Sequence, residues 1–326
     1  MNRLATKFAL APAVTLAVAL GLMAAGGAAA AGPQAQQPAA GQAAQPATPS
    51  QPGQAGAQGQ QGQAQPGQAA PGAPPAHQVT KQESDDFNTI RQEASTGLDP
   101  DHVIQLATDF EKKYADSPML SYTDMFAAGA YQQKNDILKS IELGEKSLKI
   151  KPDNLMSLIM MADLLPTPQA MKGAAADKDK KLGEAENDAN EALKLIGQLP
   201  KQATETDDQA KKRRDALSAD LHSALGMVHL RRSAEGLTGP DKDELSKAEQ
   251  EYKLATSATE KPNPQDFFRL GEAYNNDGKL DEAIDAFGKA AQAGAGGPIQ
   301  PFAEQRLEEL KKRKAAAATP AAPAKP

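Results

Sequence analysis

Two histidines on one predicted helix face are the first residues of this sequence whose type and spacing could perform chemistry. His222 and His229 are seven residues apart, which places them two helical turns apart on the same face, as a pair of metal ligands would be. His77 and His102 supply no plausible third ligand. Both histidines of the pair stand at positions that face between helices in a better-preserved unit further along the chain. We therefore assign His222 and His229 to packing and predict no metal site.

Other motifs for catalysis or cofactor binding are absent or incomplete. Asn275 to Glu282 resemble part of a calcium loop around Gly278, but Ala273 and Ile284 stand where the first and last carboxylates should be. The 326 residues include no cysteine, which excludes thiol nucleophiles, disulfides and cysteine-bound metals. No glycine-rich phosphate loop, G-x-S-x-G or H-E-x-x-H motif is present. We predict no catalytic residue, no cofactor and no enzyme activity.

Short basic runs are the remaining candidates for a binding function. They occur at residues 211–214, at Arg231 and Arg232, and at residues 311–314, with acidic residues nearby. The chain carries a net charge of −6, and the first 82 residues hold no acidic group, so the central body is more acidic than the whole. A nucleic-acid surface needs a concentrated positive field. We therefore predict solvated helix faces and no nucleic-acid partner.

The N-terminal 31 residues have the layout of an export signal. Arg3 and Lys7 precede an apolar run over residues 8–31, which ends in an A-x-A pattern of small residues. That order is typical of a secretory signal peptide, with cleavage near Gly32. A retained membrane anchor over residues 8–31 is the alternative, although Pro12 weakens a permanent helix. We expect an exported protein that is periplasmic or secreted.

Two segments lack the side chains needed to build a core. Residues 32–82 are dominated by Gln, Ala, Pro and Gly and carry one charge, Lys81. Residues 315–326 are rich in Ala and Pro. Ordering such segments would cost conformational entropy with no apolar burial to offset it. We expect a disordered N-terminal linker, a disordered C-terminal tail, and a folded domain over residues 83–314.

The domain at residues 83–314 has the periodicity of helices throughout. Apolar residues recur at steps of three and four, as at Leu217, Leu221, Leu225 and Val228, and no segment alternates at period two for long. Proline and glycine separate the helical segments at roughly regular intervals. This pattern predicts an all-α fold of repeated helices.

Residues 267–298 form the clearest repeated unit. The unit has a Leu-Gly pair and a tyrosine on its first helix, then a turn, then alanines around a phenylalanine on its second helix: Leu270, Gly271, Tyr274, Ala283, Phe287 and Ala290. Small residues let two antiparallel helices approach, while the tyrosine and the phenylalanine fill the space beside them. This unit resembles a tetratricopeptide repeat (TPR).

Three further units carry looser versions of the same pattern. Their residues at the equivalent packing positions are Ala127, Tyr131, Met161, Leu165, Ala185, Leu225, Gly226, His229, Ala248 and Tyr252. Two of these units contain an insertion in the turn, near residues 167–181 and near residues 236–243. Most of residues 83–314 thus resembles the TPR protein family, as an exported member with degenerate and insertion-bearing repeats.

The resemblance implies an α-solenoid of antiparallel helix pairs, coiled as a right-handed superhelix, whose concave groove binds a protein or peptide partner. In the family, the groove is lined by the outward side of each first helix, at steps flanking the Leu-Gly pair. Carried onto this sequence, those positions are Tyr122, Met125, Gln132, Met156, Ile159, Asp163, Ser223, Met227, Phe268, Glu272 and Asn275. They lack the basic clamp by which some members hold a terminal carboxylate, so we predict no preference for acidic C-terminal peptides.

Three of the groove positions are methionines. Met125, Met156 and Met227 have flexible, polarizable side chains that would suit an apolar or variable segment of a partner. The alternative interpretation is that these methionines fill irregular space around degenerate repeats. The sequence leaves both interpretations open.

Two functions are compatible with this reading of the sequence. The first is a non-catalytic protein–protein interaction scaffold of the bacterial cell envelope. The alternative is an accessory subunit of an envelope enzyme or of a secretion or assembly complex, in which the solenoid positions a catalytic partner or a substrate. Membrane contact is expected only through an uncleaved N-terminal segment.

Overall fold

The computed structural model describes residues 77–234 and 239–318. These residues contain eleven α-helices. No β-strand occurs among these residues. In chain order the helices are α1 (Lys81–Thr96), α2 (Pro100–Lys113), α3 (Leu120–Gln133), α4 (Ile137–Ile150), α5 (Leu155–Leu164), α6 (Ala175–Gly197), α7 (Asp207–Ser233), α8 (Lys242–Ser257), α9 (Pro264–Asn276), α10 (Leu280–Ala293) and α11 (Gln300–Ala318). The all-α prediction is confirmed.

The helices extend slightly past both predicted ends of the folded domain. Helix α1 begins at Lys81, because Thr80 and Glu83 form a reciprocal cap with N–H to oxygen distances of 3.2 and 3.3 Å. Helix α11 continues to Ala318, so residues 315–318 are helical where we predicted the start of a disordered tail. These four residues are all alanine, which has the highest helix propensity. The predicted signal peptide and nearly all of the linker lie outside the described residues.

Polar caps and prolines fix where several helices begin. The Asp99 side chain accepts a backbone N–H of the first turn of α2 at 3.0 Å, and Pro100 occupies the first helical position. In α9, the Asn263 side chain likewise accepts a backbone N–H of the first turn at 3.0 Å, and Pro264 occupies the first helical position. Proline is tolerated at this position because its missing N–H would have no partner within the helix.

Each helix packs against the next along the chain, and odd-numbered helices also pack against one another. Contacts of the second kind join α1 to α3, α5 to α7 and α7 to α9. The odd-numbered helices thus form one layer and the even-numbered helices the other. The predicted α-solenoid of helix pairs is confirmed, whereas its right-handed coiling stays a prediction. Within the described ranges, no helix is both long enough and apolar enough to cross a membrane.

Two helix pairs that are distant in the sequence share the same turn. A backbone N–H donates to Tyr131 O at 2.9 Å between α3 and α4, and the equivalent N–H donates to Tyr274 O at 2.9 Å between α9 and α10. The residue before each donor has a positive φ, 59° at Asn135 and 82° at Gly278. Asn and Gly are the residue types that adopt this conformation most readily. The repeat is therefore visible in the backbone as well as in the sequence.

The two insertions lie between the first and second helices of their pairs. After α5, residues 165–174 form an irregular connection, and the insertion continues into the first turns of α6, where Lys181 Nζ donates to Ala170 O. The insertion near residues 236–243 falls partly outside the described residues. At its described end, Asp241 N donates to Ser233 O at 2.9 Å, which holds the start of α8 against the end of α7.

Candidate partner-binding site

The structure closes the N-terminal part of the predicted groove. Met125 in α3 is 5% exposed, and Met156 and Ile159 in α5 are 7% and 5% exposed. All three belong to one hydrophobic cluster that includes Phe110 and Phe126. Their assignment to an open groove surface is therefore corrected: they are core residues. For Met125 and Met156, the interpretation of the methionines as core filling is the one that fits.

Two features of the fold explain this burial. Phe87 of α1 lies across α3, with its ring centroid 6.2 Å from Tyr122 and 6.1 Å from Phe126. Helix α5 has apolar residues around most of its circumference and packs against α4, α6 and α7. A helix that is apolar on all sides is buried on all sides. Met125, Met156 and Ile159 are consequently covered.

The other predicted groove residues are all half-buried, namely Tyr122, Gln132, Asp163, Ser223, Met227, Phe268, Glu272 and Asn275. Some of them are engaged by the chain itself. The Phe268 ring centroid lies 5.1 Å from that of Phe287, and Asn275 Oδ1 accepts from Arg313 Nη1 at 2.9 Å. The residues that remain for binding are concentrated on α5, α7 and α9.

Four charged residues that the sequence analysis did not select stand beside them. Asp220 and Arg231 lie on α7, and Asp266 and Arg269 lie on α9. Asp220, Ser223, Met227 and Arg231 follow one another along α7 at steps of three or four residues. Extending the spacing of the predicted positions Ser223 and Met227 in both directions would therefore have identified both charged residues. We call the combined set the charged recess, and its members are Asp163, Asp220, Ser223, Met227, Arg231, Asp266, Arg269 and Glu272.

A short chain of hydrogen bonds joins α7 to α9 within the charged recess. Ser223 Oγ donates to Asp266 Oδ1 at 2.5 Å, and Arg269 Nη1 donates to Ser223 Oγ at 3.4 Å. Burial raises the pKa of the Asp266 carboxyl, while the Ser223 hydrogen bond and Arg269 act in the opposite direction. These bonds hold the Arg269 guanidinium beside α7.

Asp163 and Asp220 lie in surroundings that disfavour their negative charge. Burial raises the pKa of Asp163 to about 7, and the nearby carboxylates of Asp220 and Asp266 add to this shift, which Arg269 opposes. Burial also raises the pKa of Asp220 to about 6, with Asp266 adding to it. Both side chains nevertheless reach solvent. Groups on α5, α7 and α9 thus face one recess, in which charge is poorly solvated but accessible.

The opposite end of the charged recess mixes both signs of charge. Burial raises the pKa of Glu272, and Arg306, Arg269 and Arg231 oppose that shift. Burial lowers the pKa of Arg231, whose Nε donates to Pro166 O at 3.3 Å. The recess is therefore polar along its length, with carboxylates predominating near Asp163.

The histidines and carboxylates do not form a metal centre in the part of the chain that the structure describes. No cluster of three or more His, Asp or Glu side chains there is arranged to hold a metal ion. His222 Nδ1 lies 2.7 Å from Glu251 Oε2, and His229 Nδ1 lies 2.8 Å from Glu244 Oε2. Each histidine therefore links α7 to α8.

The residues assigned to packing between helices are buried, apart from the half-buried Tyr131. In the last two helix pairs, an aromatic ring of the second helix lies against a glycine of the first. A Cβ atom on Gly226 would come within 2.8 Å of the Tyr252 ring, and one on Gly271 within 3.0 Å of the Phe287 ring. The same contact recurs at the same step of the pattern in successive pairs. The described chain is a TPR-like α-solenoid.

Comparisons with known proteins found solved structures that are similar to this chain. No family model and no curated protein matches the sequence. One similar structure is a thermophilic TPR protein, TTC0263, from Thermus thermophilus, with 17% identity, a TM-score of 0.44, and coverage of 71% of this chain and 99% of that one. Another is BtubC (BKLC) from P. vanneervenii, with 16% identity, a TM-score of 0.38, and coverage of 75% and 93%.

Proposed function

We propose that this protein is a non-catalytic scaffold that binds a segment of a partner protein along its odd-helix layer, at the charged recess. The observation that carries this proposal is the gathering of charged side chains from α5, α7 and α9 at one solvent-accessible place. Within the described residues, Asp163 and Asp220 form no hydrogen bond or ion pair with the chain itself. A solenoid presents such a surface without closing over it, which suits an extended segment.

We also propose that the protein works in the bacterial cell envelope. The support is the order of positive charges, apolar run and small residues at the N-terminus. Sequencing the mature N-terminus from cells tests this: we expect a start near Gly32. An intact Met1 on protein from the membrane fraction would favour the retained anchor instead.

Site-specific photo-crosslinking tests the scaffold proposal. A benzophenone amino acid in place of Met227 lies within the charged recess, and the same group in place of Leu138, which is 61% exposed on α4, is the matched control. We expect a defined partner to crosslink in intact cells from position 227 and not from position 138. Identical crosslinks from both positions, or none from position 227, would contradict the proposal.

The structure also determines which methionine to substitute. Met125 and Met156 are core residues, so a lysine at either position would disrupt folding rather than report on binding. Met227 is half-buried in the charged recess. We expect Met227→Lys to abolish recovery of the crosslinked partner while the far-UV circular dichroism stays helical.

A further inference from the structure

Methionine provides the most readily oxidised side chains of this protein. The 326 residues contain no cysteine and no tryptophan but nine methionines, of which Met1 and Met23 lie outside the described residues. An oxidant converts the apolar thioether into a polar sulfoxide, and methionine sulfoxide reductases reverse the change. Because the oxidant must reach the sulfur, the fold decides which of the other seven methionines react.

The structure shields four of these seven methionines. They lie in hydrophobic clusters and are 2–7% exposed, namely Met125, Met156, Met160 and Met161. The three that are half-buried, and therefore reach solvent, are Met119, Met171 and Met227. Of these three, Met227 alone belongs to the charged recess. Oxidation at Met227 thus changes the proposed binding surface without disturbing the core.

Met227 lies between two polar residues of the same face of α7. Ser223 and Arg231 are four residues to either side of it, and residues four apart are neighbours on a helix surface. Ser223 Oγ is engaged with α9 through its 2.5 Å hydrogen bond to Asp266. Arg231 uses Nε for Pro166 O at 3.3 Å, and its two terminal nitrogens have no hydrogen-bond or ion-pair partner in the described part of the chain. Met227 is therefore an apolar surface beside a guanidinium with unused donors.

A sulfoxide at position 227 changes this surface in a defined way. Its oxygen accepts hydrogen bonds, whereas the thioether sulfur is only a weak acceptor. Arg231, one helical turn away, supplies donors for that oxygen. An apolar part of a partner that packs on the thioether then meets a polar group instead, and covering a polar group with apolar atoms is unfavourable.

We propose that Met227 is a reversible oxidation site and that its sulfoxide releases the partner segment from the charged recess. The oxidant is an electrophilic one such as hypochlorous acid. In net terms, the thioether sulfur loses two electrons and gains one oxygen, the chlorine of hypochlorous acid takes up the two electrons and leaves as chloride, and one proton is released. The release of the partner rests on the proposed function, whereas the site of oxidation does not.

Peptide mapping by mass spectrometry tests the oxidation site without any partner. The purified full chain is treated with increasing amounts of hypochlorous acid, and the gain of one oxygen atom is followed for each methionine. We expect Met227 to be oxidised about tenfold or more faster than Met160 and Met161, because their burial excludes the oxidant. In urea the three rates should converge to within about twofold. Equal rates in the folded chain would overturn the site.

Photo-crosslinking from position 272 tests the release of the partner. Glu272 lies in the charged recess on α9, so a benzophenone amino acid in its place leaves Met227 intact. In isolated cell envelopes, hypochlorous acid before irradiation should lower recovery of the crosslinked partner by about tenfold. Incubation with methionine sulfoxide reductases and dithiothreitol should then restore it.

A matched pair of variants assigns the effect to one sulfur. Leucine keeps the apolar bulk of methionine but cannot be oxidised, so Met227→Leu should make partner recovery insensitive to the oxidant to within about twofold. Met119→Leu removes a half-buried methionine outside the recess and should leave the tenfold loss unchanged. Circular dichroism of both variants should stay helical.

The outcomes separate this inference from the proposed function. A partner that is lost equally after oxidation of the parent chain and of Met227→Leu would keep the scaffold and overturn the release. Selective oxidation of Met227 without any crosslinked partner from position 272 would contradict the scaffold, and the release with it, while the oxidation site stands.

Discussion

The earlier repeats, α3 to α6, and the later repeats, α7 to α10, fill their interiors in different ways. At one equivalent position of the second helix, the earlier repeats carry Gly144 and Ala189, whereas the later repeats carry Tyr252 and Phe287. At the second position of the Leu-Gly pair, the earlier repeats carry alanine and the later repeats carry glycine. A ring on one helix thus occurs together with a glycine on the other.

In the earlier repeats, side chains of the next helix occupy the space that a ring would fill. A Cβ atom on Gly144 would come 2.5 Å from Met161 Sδ and 3.1 Å from Met160 Cε. The outward positions of α3 and α5 are buried in the same region, as Met125 and Met156 show. Where methionines fill the core, the outward positions occupied by Met125 and Met156 are buried. Where an aromatic ring packs against a glycine and fills the core, outward positions such as Met227 stay accessible to solvent.

Buried polar groups differ in kind between the two regions. In the earlier repeats, Ser147 Oγ donates to Ser121 O at 2.7 Å and lies 2.6 Å from Ser157 Oγ, and Asn154 Nδ2 donates to Ser121 Oγ at 2.8 Å. Each region also has a buried side-chain oxygen without a hydrogen-bond partner in the described structure, a carboxylate oxygen of Asp124 in the earlier repeats and the Tyr252 hydroxyl in the later ones. A satisfied buried network stabilises a core, whereas an unpaired group destabilises it.

Removing a ring from the later repeats is expected to have the largest effect. Phe287 is 1% exposed, so Phe287→Ala should lower the free energy of unfolding by about 3–5 kcal/mol through lost burial and the cavity left behind. Urea unfolding followed by circular dichroism measures this. Leu254→Ala is the control, since Leu254 is 46% exposed and should lose less than about 1 kcal/mol. Similar losses for both variants would show that the ring is not a core element.

Adding a methyl group to the two types of glycine tests the comparison directly. Gly226→Ala pushes against the buried Tyr252 ring and should cost about 1–3 kcal/mol of unfolding free energy. Gly144→Ala meets flexible thioethers and gains about 1 kcal/mol of helix propensity, so it should stay within about 1 kcal/mol of the parent chain. Thermal or urea unfolding of both variants gives the answer. An equal loss of unfolding free energy at both sites would show that the two glycines do not differ in how tightly their neighbours pack.

The Asp163 carboxyl of α5 should make the stability of the solenoid depend on pH. Its pKa is raised from an unfolded value near 3.8 to about 7, so its contribution to stability is fully present below about pH 4 and is lost as pH rises through 7. Asp163→Asn should therefore gain about 1–2 kcal/mol over the parent chain at pH 8 and nothing at pH 4, a modest figure because the side chain reaches water. Urea unfolding at the two pH values measures it, and a pH-independent difference would refute the assignment.

The smallest expected effect concerns the Tyr252 hydroxyl. Tyr252→Phe removes a buried group that has no partner and keeps the ring against Gly226. The free energy of unfolding should rise by about 0.5–1 kcal/mol, in contrast to the loss that normally follows removal of a buried, hydrogen-bonded hydroxyl. Differential scanning calorimetry detects such a change as a higher melting temperature. A lower one would mean that the hydroxyl is satisfied in solution.

Much of the fold follows from local patterns in the sequence. The recurrence of apolar residues at steps of three and four defined the helices, and the Leu-Gly, tyrosine and phenylalanine pattern around Gly271 and Phe287 defined a helix pair. These features could be predicted because each depends on contacts within one or two neighbouring helices. The helical end at residues 315–318 differs from the predicted tail because these four alanines have high helix propensity, although the Ala- and Pro-rich composition of the segment is typical of disorder.

The candidate site was only partly predictable. Asp163, Ser223, Met227 and Glu272 were found because they flank recognisable positions of the repeat. Asp220 and its companions Arg231, Asp266 and Arg269 were missed because no motif marks them, although their helical steps were visible. Their importance comes from their proximity to one another across α7 and α9 and to Asp163 on α5, which no local pattern reports.

The amino-acid sequence by itself determined which segments are helices, where they begin, and which helices pair, because backbone propensity, capping and periodicity act over a few residues. Tertiary structure alone decided which outward-facing positions stay open. Met125 and Ser223 each lie two residues before the first position of the Leu-Gly pattern in their helices, yet the first is buried and the second is half-buried. Burial depends on what another part of the chain places opposite a residue, and for Met125 that is the hydrophobic cluster that α1 and α2 complete.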